Sequence, residues 1–414
     1  VAHRVLIISA SMGAGHDGAA RELARRLREA GHEVEIRDFL EAPPWPVGVS
    51  LQKGYAFQIR HLAWSYELTY RFWSLLPFLC GPLASFVAML TRRSMRRWVQ
   101  EANADVVVST YPLTSQGLGV MRKRGQLKVP AATFLTDFAI HPVWVHPGID
   151  LHLAVHPEPA AEAARQSGGP VLAPGPLVSP RFRQPVDREA VRAGLGLAPE
   201  DRAVLVVAGS WGVGAIAETF HLTAGSGRFV PVVVCGRDER LRRRLVAAGG
   251  DERRVIGWTD QMPALMAAAD ALVENAGGLT SMEAITAGLP VVSFLPIAGH
   301  GRENTKRMEQ AGVARRADTP AELLAALDVL TRPGPERDAQ VAAGLAMLAG
   351  DAAECVVELA DAAAAPAPAS ATAPSGAVPA AAAPAVAAPT AGTTAATGRC
   401  AATSCESAGR TGSA

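Results

Sequence analysis

Close to its start the chain carries a histidine directly behind a glycine-rich turn. Val5-Leu6-Ile7-Ile8-Ser9 reads as a buried strand and Ala10-Ser11-Met12-Gly13-Ala14-Gly15-His16 as a turn, with a helix expected from Asp17. Glycines such as Gly13 and Gly15 let the backbone approach a ligand closely. The helix start offers unpaired N–H groups, and an imidazole titrates near neutral pH. Together these features can take a proton from a hydroxyl that sits beside an anionic group. A helix-capping or surface histidine is the competing reading, because many α/β proteins open with a strand, a turn and a helix.

Two later loops have the chemistry of anion binding. Val204-Leu205-Val206-Val207 feeds a Gly/Ser loop, Ala208-Gly209-Ser210-Trp211-Gly212-Val213-Gly214, and then a helix. The loop lacks the Gly-Lys-Ser/Thr ending of a P-loop, so triphosphate hydrolysis is not implied, and a plain packing turn is an equal alternative. In the second, a strand ending at Glu274 turns through Gly277-Gly278 into a helix start with Leu279, Thr280 and Ser281, and Glu283 follows one turn in. Backbone N–H groups at that start can hold a diphosphate, and Glu283 can accept both hydroxyls of a ribose. The plain alternative for Glu283 is a first-turn acid favoured by the helix dipole. Between the loops, the backbone of the short strand at Val255-Ile256 is placed to pair with the edge of a base. No compact carboxylate or histidine cluster suggests a metal site.

Parallel strands must position these loops. Short apolar runs are expected at 5–9, 34–37, 105–110, 131–136 and 151–155, and again at 203–208, 229–235, 254–257, 271–274 and 291–295. Runs without alternation suit strands buried on both faces, and the intervening helical stretches complete βαβ units. The expected fold class is therefore α/β, with two Rossmann-like doubly wound domains. Pro170, Pro174, Pro176, Pro180 and Pro185 mark the break between them. The expected organisation is a domain over 1–175, a second over 176–361, and a disordered Ala/Pro-rich tail over 362–414.

At 414 residues and 49% apolar composition the chain can build two cores, and its net charge of +1 argues against a nucleic-acid partner. Five scattered cysteines suit a reduced, cytosolic protein, and no signal-peptide pattern precedes Val5. One segment departs from the average. Residues 45–98 hold half of all Trp, Tyr and Phe, with seven basic side chains against the single acid Glu67, a local charge of +6. From Phe72 to Thr91 there is no charge, and Leu83, Phe86, Val87 and Leu90 fall on one helical face. The segment reads as a membrane-surface or lipid-acceptor element attached to an anionic bilayer. An ordinary core helix is the alternative. A true span is disfavoured by Pro77, Gly81 and Pro82 and by its place inside a βα series.

The order of these motifs resembles a known family. The phosphate loop, Gly257-Trp258-Thr259-Asp260-x-Met262, Gly277-Gly278-Leu279-Thr280-x-x-Glu283 and a later Glu303-Asn304 are similar to the nucleotide-sugar half of a GT-B glycosyltransferase. The Gly-x-Gly-His turn ending at His16, Thr136-Asp137 and His141-Pro142-x-Trp144 resemble the branch of the monogalactosyldiacylglycerol synthases and processive diacylglycerol glucosyltransferases. That branch is related to the lipid-II-forming N-acetylglucosaminyltransferase.

The resemblance implies two domains facing a cleft and an inverting, metal-independent hexosyl transfer from UDP-galactose or UDP-glucose to a lipid hydroxyl, with no cofactor. It implies His16 as base with Asp137 assisting, and Gly13 and Gly15 making room for acceptor and sugar. Gly209 and Ser210 would face the phosphates and the Ile256 backbone the uracil. Gly277, Gly278, Leu279 and Thr280 would cradle the diphosphate, Glu283 would hold the ribose, and Glu303 with Asn304 the hexose. The expected location is cytoplasmic, peripheral on the inner face of the plasma membrane. A polyprenyl-linked or other apolar acceptor, and a non-catalytic nucleotide-sugar-binding protein, are the alternatives. Two departures stand out: Gly301-Arg302-Glu303-Asn304 replaces the more usual Gly-Gln-Glu with a later Asn, and Ser179 stands where some relatives have arginine, with Arg181 two residues on.

Overall fold

The structure is a computed structural model that describes residues 1–207 and 214–365. Gly209 and Ser210 lie outside the described residues, as does the expected tail from residue 366. The tail's expected start at 362 is too early, because a helix over Ala352–Ala364 runs through it.

Two parallel sheets carry the fold. The first contains β1 (Arg4–Ser9), β2 (Glu33–Asp38), β3 (Val106–Ser109), β4 (Ala131–Leu135), β5 (Leu151–Ala154) and β6 (Val171–Leu172), in the order β2-β1-β3-β4-β5-β6. The second contains β7 (Ala203–Val207), β8 (Val230–Val234), β9 (Val255–Ile256), β10 (Ala271–Glu274), β11 (Val291–Phe294) and β12 (Arg315–Ala317), in the order β12-β11-β10-β7-β8-β9. Central strands such as β3, β7 and β10 are buried at every position, which their unalternated valines and leucines require. Strand order reverses between β1 and β3 and between β7 and β10. Such reversals open a crevice at the carboxyl ends of the strands, where the loops after β1 and β10 lie. The short strands β6 and β12 were not expected: two residues carry no pattern, and Arg315-Arg316 hides the other.

Helix α1 (Ala14–Glu29) buries Ala19, Ala20, Leu23, Ala24 and Leu27 at helical spacing. It starts three residues earlier than expected. Gly13, at φ 150 and ψ 170, makes the reversal that an L side chain would resist, so Gly15 and His16 already sit in the first turn. Asp17 anchors that turn by accepting the Ser9 hydroxyl at 2.7 Å.

The aromatic segment forms α2 (Val47–His61), α3 (Ala63–Leu75) and α4 (Cys80–Glu101), and α5 (Pro112–Lys123) follows β3. Its two ends behave differently. The C-terminal part of α4 is core: Met95 and Trp98 are buried against the first sheet, and Ala84 and Ala88 pack on Val120 of α5. The apolar face expected over 83–90 is therefore split, with Val87 buried and Phe86 54% exposed. In α3 the arrangement is reversed, and Trp64, Leu68, Phe72 and Leu75 form an apolar stripe on the exposed side. Among the described residues no single helix is long and apolar enough to cross a membrane. Trp64–Leu75 and Pro77–Glu101 pass that test only together, across a bend of 88°.

The last helix returns to the first sheet. His3 Nε2 lies 2.7 Å from Asp361 Oδ1, and Arg26 pairs with Asp351 at 3.2 Å.

Candidate active site

A cleft of about 810 Å³ is lined from both sheets, by the Gly13–His16 turn and Asp137 on one side and by Arg181, Trp258, Ala276, Gly278–Thr280, Glu283 and His300 on the other. His16 Nδ1 lies 3.3 Å from Thr136 Oγ1, and the ring packs against Tyr111 and Trp144 at centroid distances of 5.2 and 5.7 Å. Burial holds its pKa below the ordinary histidine value, against the upward pull of the Asp137 charge and a hydrogen bond to the Thr110 backbone. The imidazole is accordingly neutral at pH 7 and able to accept a proton. Asp137 is fixed by Trp144, whose Nε1–H donates to Oδ2 at 2.8 Å. Its place at the end of β4 brings it to His16 although 121 residues separate them in sequence.

On the other side, the loop after β10 is organised by a carboxylate that sequence reasoning overlooked. Glu274, 5% exposed, accepts the N–H groups of Ala276 and Gly277, each at 2.7 Å, and the Ser293 hydroxyl at 2.5 Å. It looked like the polar end of a strand; only the turn that folds back over it reveals the role. Gly277, at φ 63, has no room for a side chain: a Cβ would lie 2.8 Å from that of Asn304. Gly278 then leads into the helix Leu279–Thr286, whose free N–H groups open on the cleft with Leu279, Thr280 and Glu283 on its lining. Burial pushes the Glu283 carboxyl up to about 8. Replacing Glu274 by alanine leaves three donors without their acceptor, and a stability loss of about 2–4 kcal/mol is expected in chemical denaturation. A loss below about 0.5 kcal/mol would show that the carboxylate does not hold the loop.

The two sides touch. A Cβ on Gly18 of α1 would lie 2.4 Å from Leu279 Cδ2, the first residue of the helix behind the glycine loop. The candidate base and the anion-binding helix start are thus on two helices in direct contact.

Comparison with known proteins agrees with this geometry. The family model for monogalactosyldiacylglycerol (MGDG) synthase matches residues 16–169. A processive diacylglycerol beta-glucosyltransferase of Bacillus cereus is 25% identical over 349 residues, covering 79% of this chain and 85% of that protein. That of Bacillus mycoides is 24% identical over 334 residues, with the same 79% and 85% covered. Among solved structures, Acinetobacter baumannii MurG superposes with a TM-score of 0.51 at 16% identity, covering 86% of this chain and 99% of MurG. The glycosyltransferase SnogD of Streptomyces nogalater gives 0.55 at 18% identity, covering 88% and 100%. This chain therefore has the GT-B fold of glycosyltransferases, and over residues 16–169 it is similar to the monogalactosyldiacylglycerol synthases.

In this glycosyltransferase the remaining expected residues are placed unevenly. Gly13 and Gly15 line the cleft with His16. Ile256 is in the edge strand β9, its carbonyl already accepting Cys235 N–H at 2.8 Å; the cleft wall beyond it is Trp258, with Arg237 stacked 4.6 Å from the ring centroid. Arg181 lines the cleft and donates to the Asp260 carbonyl at 3.3 Å. Glu303 is not on the lining. Asn304 is fully buried, its Oδ1 accepting Ala139 N–H at 2.8 Å and its Nδ2 donating to Ala276 O at 3.3 Å, so it ties the two halves together. The residue of the helix His300–Gln310 that faces the cleft is His300, which sequence reasoning missed. Its signal was present in Ala298-Gly299-His300-Gly301, a polar ring between glycines at a helix start.

Proposed function

We propose that this glycosyltransferase moves a hexose from UDP-glucose or UDP-galactose to the hydroxyl of a lipid, diacylglycerol, by inverting displacement without a metal or cofactor. The observation that carries the reading is the α1 contact with the helix behind the glycine loop, which brings a neutral imidazole to a diphosphate cradle. As the anomeric C–O bond breaks, negative charge collects on the leaving diphosphate. The N–H groups of Gly278, Leu279 and Thr280 face that charge, that of Gly277 being held by Glu274, and Glu283 holds the ribose. His16 takes the proton of the acceptor hydroxyl as it attacks the opposite face of the sugar. The names of the Bacillus relatives support the diacylglycerol acceptor.

The decisive experiment incubates the full chain separately with UDP-glucose and UDP-galactose and diacylglycerol vesicles, in the presence of EDTA. The expected product is diacylglycerol one hexose heavier. Absence of lipid product with either sugar would refute the reading, and a hexosylated polyprenyl lipid from a lipid extract would replace the acceptor.

The exposed stripe of α3, together with Trp45 at 86% and Phe78 at 71% exposure, supports peripheral attachment to a bilayer, which this reading takes to be anionic and reached from the cytoplasm. Each inserted side chain contributes about 1 kcal/mol of partitioning. The triple variant Trp64→Ser, Leu75→Ser, Phe78→Ser is therefore expected to weaken sedimentation with phosphatidylglycerol vesicles by roughly two orders of magnitude. Unchanged sedimentation would remove these residues from the membrane contact.

A further inference from the structure

The helix His300–Gln310 of the second half begins beneath α3 of the first. Glu67 accepts the Gly299 N–H at 2.7 Å and lies 3.5 Å from Arg302, while Arg71 holds its other oxygen at 2.7 Å. Gly299 has φ 70, and a Cβ there would sit 2.7 Å from Tyr66 Cε1, so α3 approaches to a distance that glycine alone permits. Next to Glu67, the Tyr66 hydroxyl is 2.9 Å from His300 Nδ1, with the rings edge-on at 84°. One short helix therefore turns an apolar stripe outward and sets two polar groups on the start of a helix in the opposite half.

The proton positions follow from the partners. Tyr55 packs edge-on against Tyr66 at a centroid distance of 5.6 Å, and burial raises the pKa of both phenols, so each keeps its proton at neutral pH. The buried Tyr66 O–H satisfies its proton by donating to His300 Nδ1, 2.9 Å from its oxygen. The imidazole, whose pKa burial lowers, then carries its one proton on Nε2. His300 lines the cleft and is close enough to His16 for their charges to oppose each other, so a neutral His300 keeps His16 basic.

We propose that Tyr66 and Glu67 are positioning residues by which the apolar α3 helix organises the donor half: Tyr66 fixes the tautomer of His300, Glu67 caps the helix that carries it, and His300 presents Nε2–H to an oxygen of the sugar nucleotide. The ligand rests on the transfer reading above; the tautomer does not.

Two measurements on the full chain test this. In 15N-histidine spectra, with His300 assigned by its loss in His300→Gln, the wild type is expected to show an unprotonated, hydrogen-bonded Nδ1 and a protonated Nε2. Tyr66→Phe is expected to mix the two tautomers. In steady-state assays with UDP-glucose and UDP-galactose, Tyr66→Phe is expected to raise the donor KM about five- to tenfold while kcat changes less than about twofold. His300→Gln, which keeps an N–H donor, should retain more activity than His300→Ala. Where Tyr66→Phe melts well below the wild type, Glu67→Gln takes its place, with the same rise in donor KM expected. A His300 tautomer unchanged in Tyr66→Phe, or a donor KM within about twofold of the wild type, overturns the proposal. If neither UDP-sugar is turned over by the wild type, the transfer reading fails and the spectra alone decide the relay.

Discussion

Replacing His16 by alanine is expected to lower sugar transfer by about 10²- to 10⁴-fold while leaving nucleotide affinity nearly unchanged. The side chain stands at the start of α1, beside Thr136 and facing the cleft, and its ring packs on Tyr111 and Trp144 of the first half. Its depressed pKa fixes the sign of the pH response. Activity should rise as pH climbs through a value below 6.5 and then stay flat through neutrality, and this acid limb should vanish in His16→Ala. Asp137→Asn removes the charge that pulls His16 upward, so the limb should move to still lower pH as the base weakens. A His16→Ala protein that binds UDP and transfers at the wild-type rate would end the assignment of His16 as base.

Glu283→Ala should weaken UDP binding by about 10²-fold, since two charge-assisted hydrogen bonds to the ribose are lost at once. The wild type should bind with a marked pH dependence. Burial holds the carboxyl at about 8, yet it must ionise to accept from both hydroxyls. Binding near neutral pH therefore releases a proton, and affinity should strengthen from pH 6 toward about 8 and then level. Calorimetry in buffers of different ionisation enthalpy measures that proton directly; no release at pH 7 would mean that Glu283 does not face the ribose as a carboxylate. Stability moves the other way. The folded protein holds this proton above the usual carboxyl value of 4.5, so the penalty of burying the charge grows as pH rises from there toward 8. Glu283→Gln should thus match the wild type in melting temperature near pH 4.5 and exceed it at pH 8.5.

These two residues are legible in the sequence in the same way. His16 and Glu283 each follow a strand and a glycine turn within a dozen residues, and such local geometry is written in short-range pattern. The same holds for Gly277 and Gly278. Among the described residues, ten of the twelve strands were legible for the same reason, as apolar runs between helical stretches. β6 and β12 were not, because their pairing comes from the neighbouring strand and not from their own residues. Glu303 and Asn304 show the limit from the other side. Helical periodicity turns His300 toward the cleft and Asn304 into the contact between the two halves, where its amide is used by Ala139 and Ala276.

The aromatic segment was legible as unusual, and composition alone separated it from the rest of the chain. Which of its residues face outward was decided by α5 and the first sheet, which cover Trp98 and Met95, and by the helix at His300, which takes Tyr66 and Glu67.

The sequence by itself determined the parallel α/β class, the glycine turns, the candidate base and the acidic residue behind the donor loop, since all of these rest on contacts within one strand–turn–helix unit. Tertiary structure alone decided that His16 and the 277–280 turn share one cleft, that Glu274 holds that turn, and that α3 reaches across to His300. Those relations join residues far apart in the chain, and only close packing of the two sheets and their helices brings their polar groups within hydrogen-bonding distance.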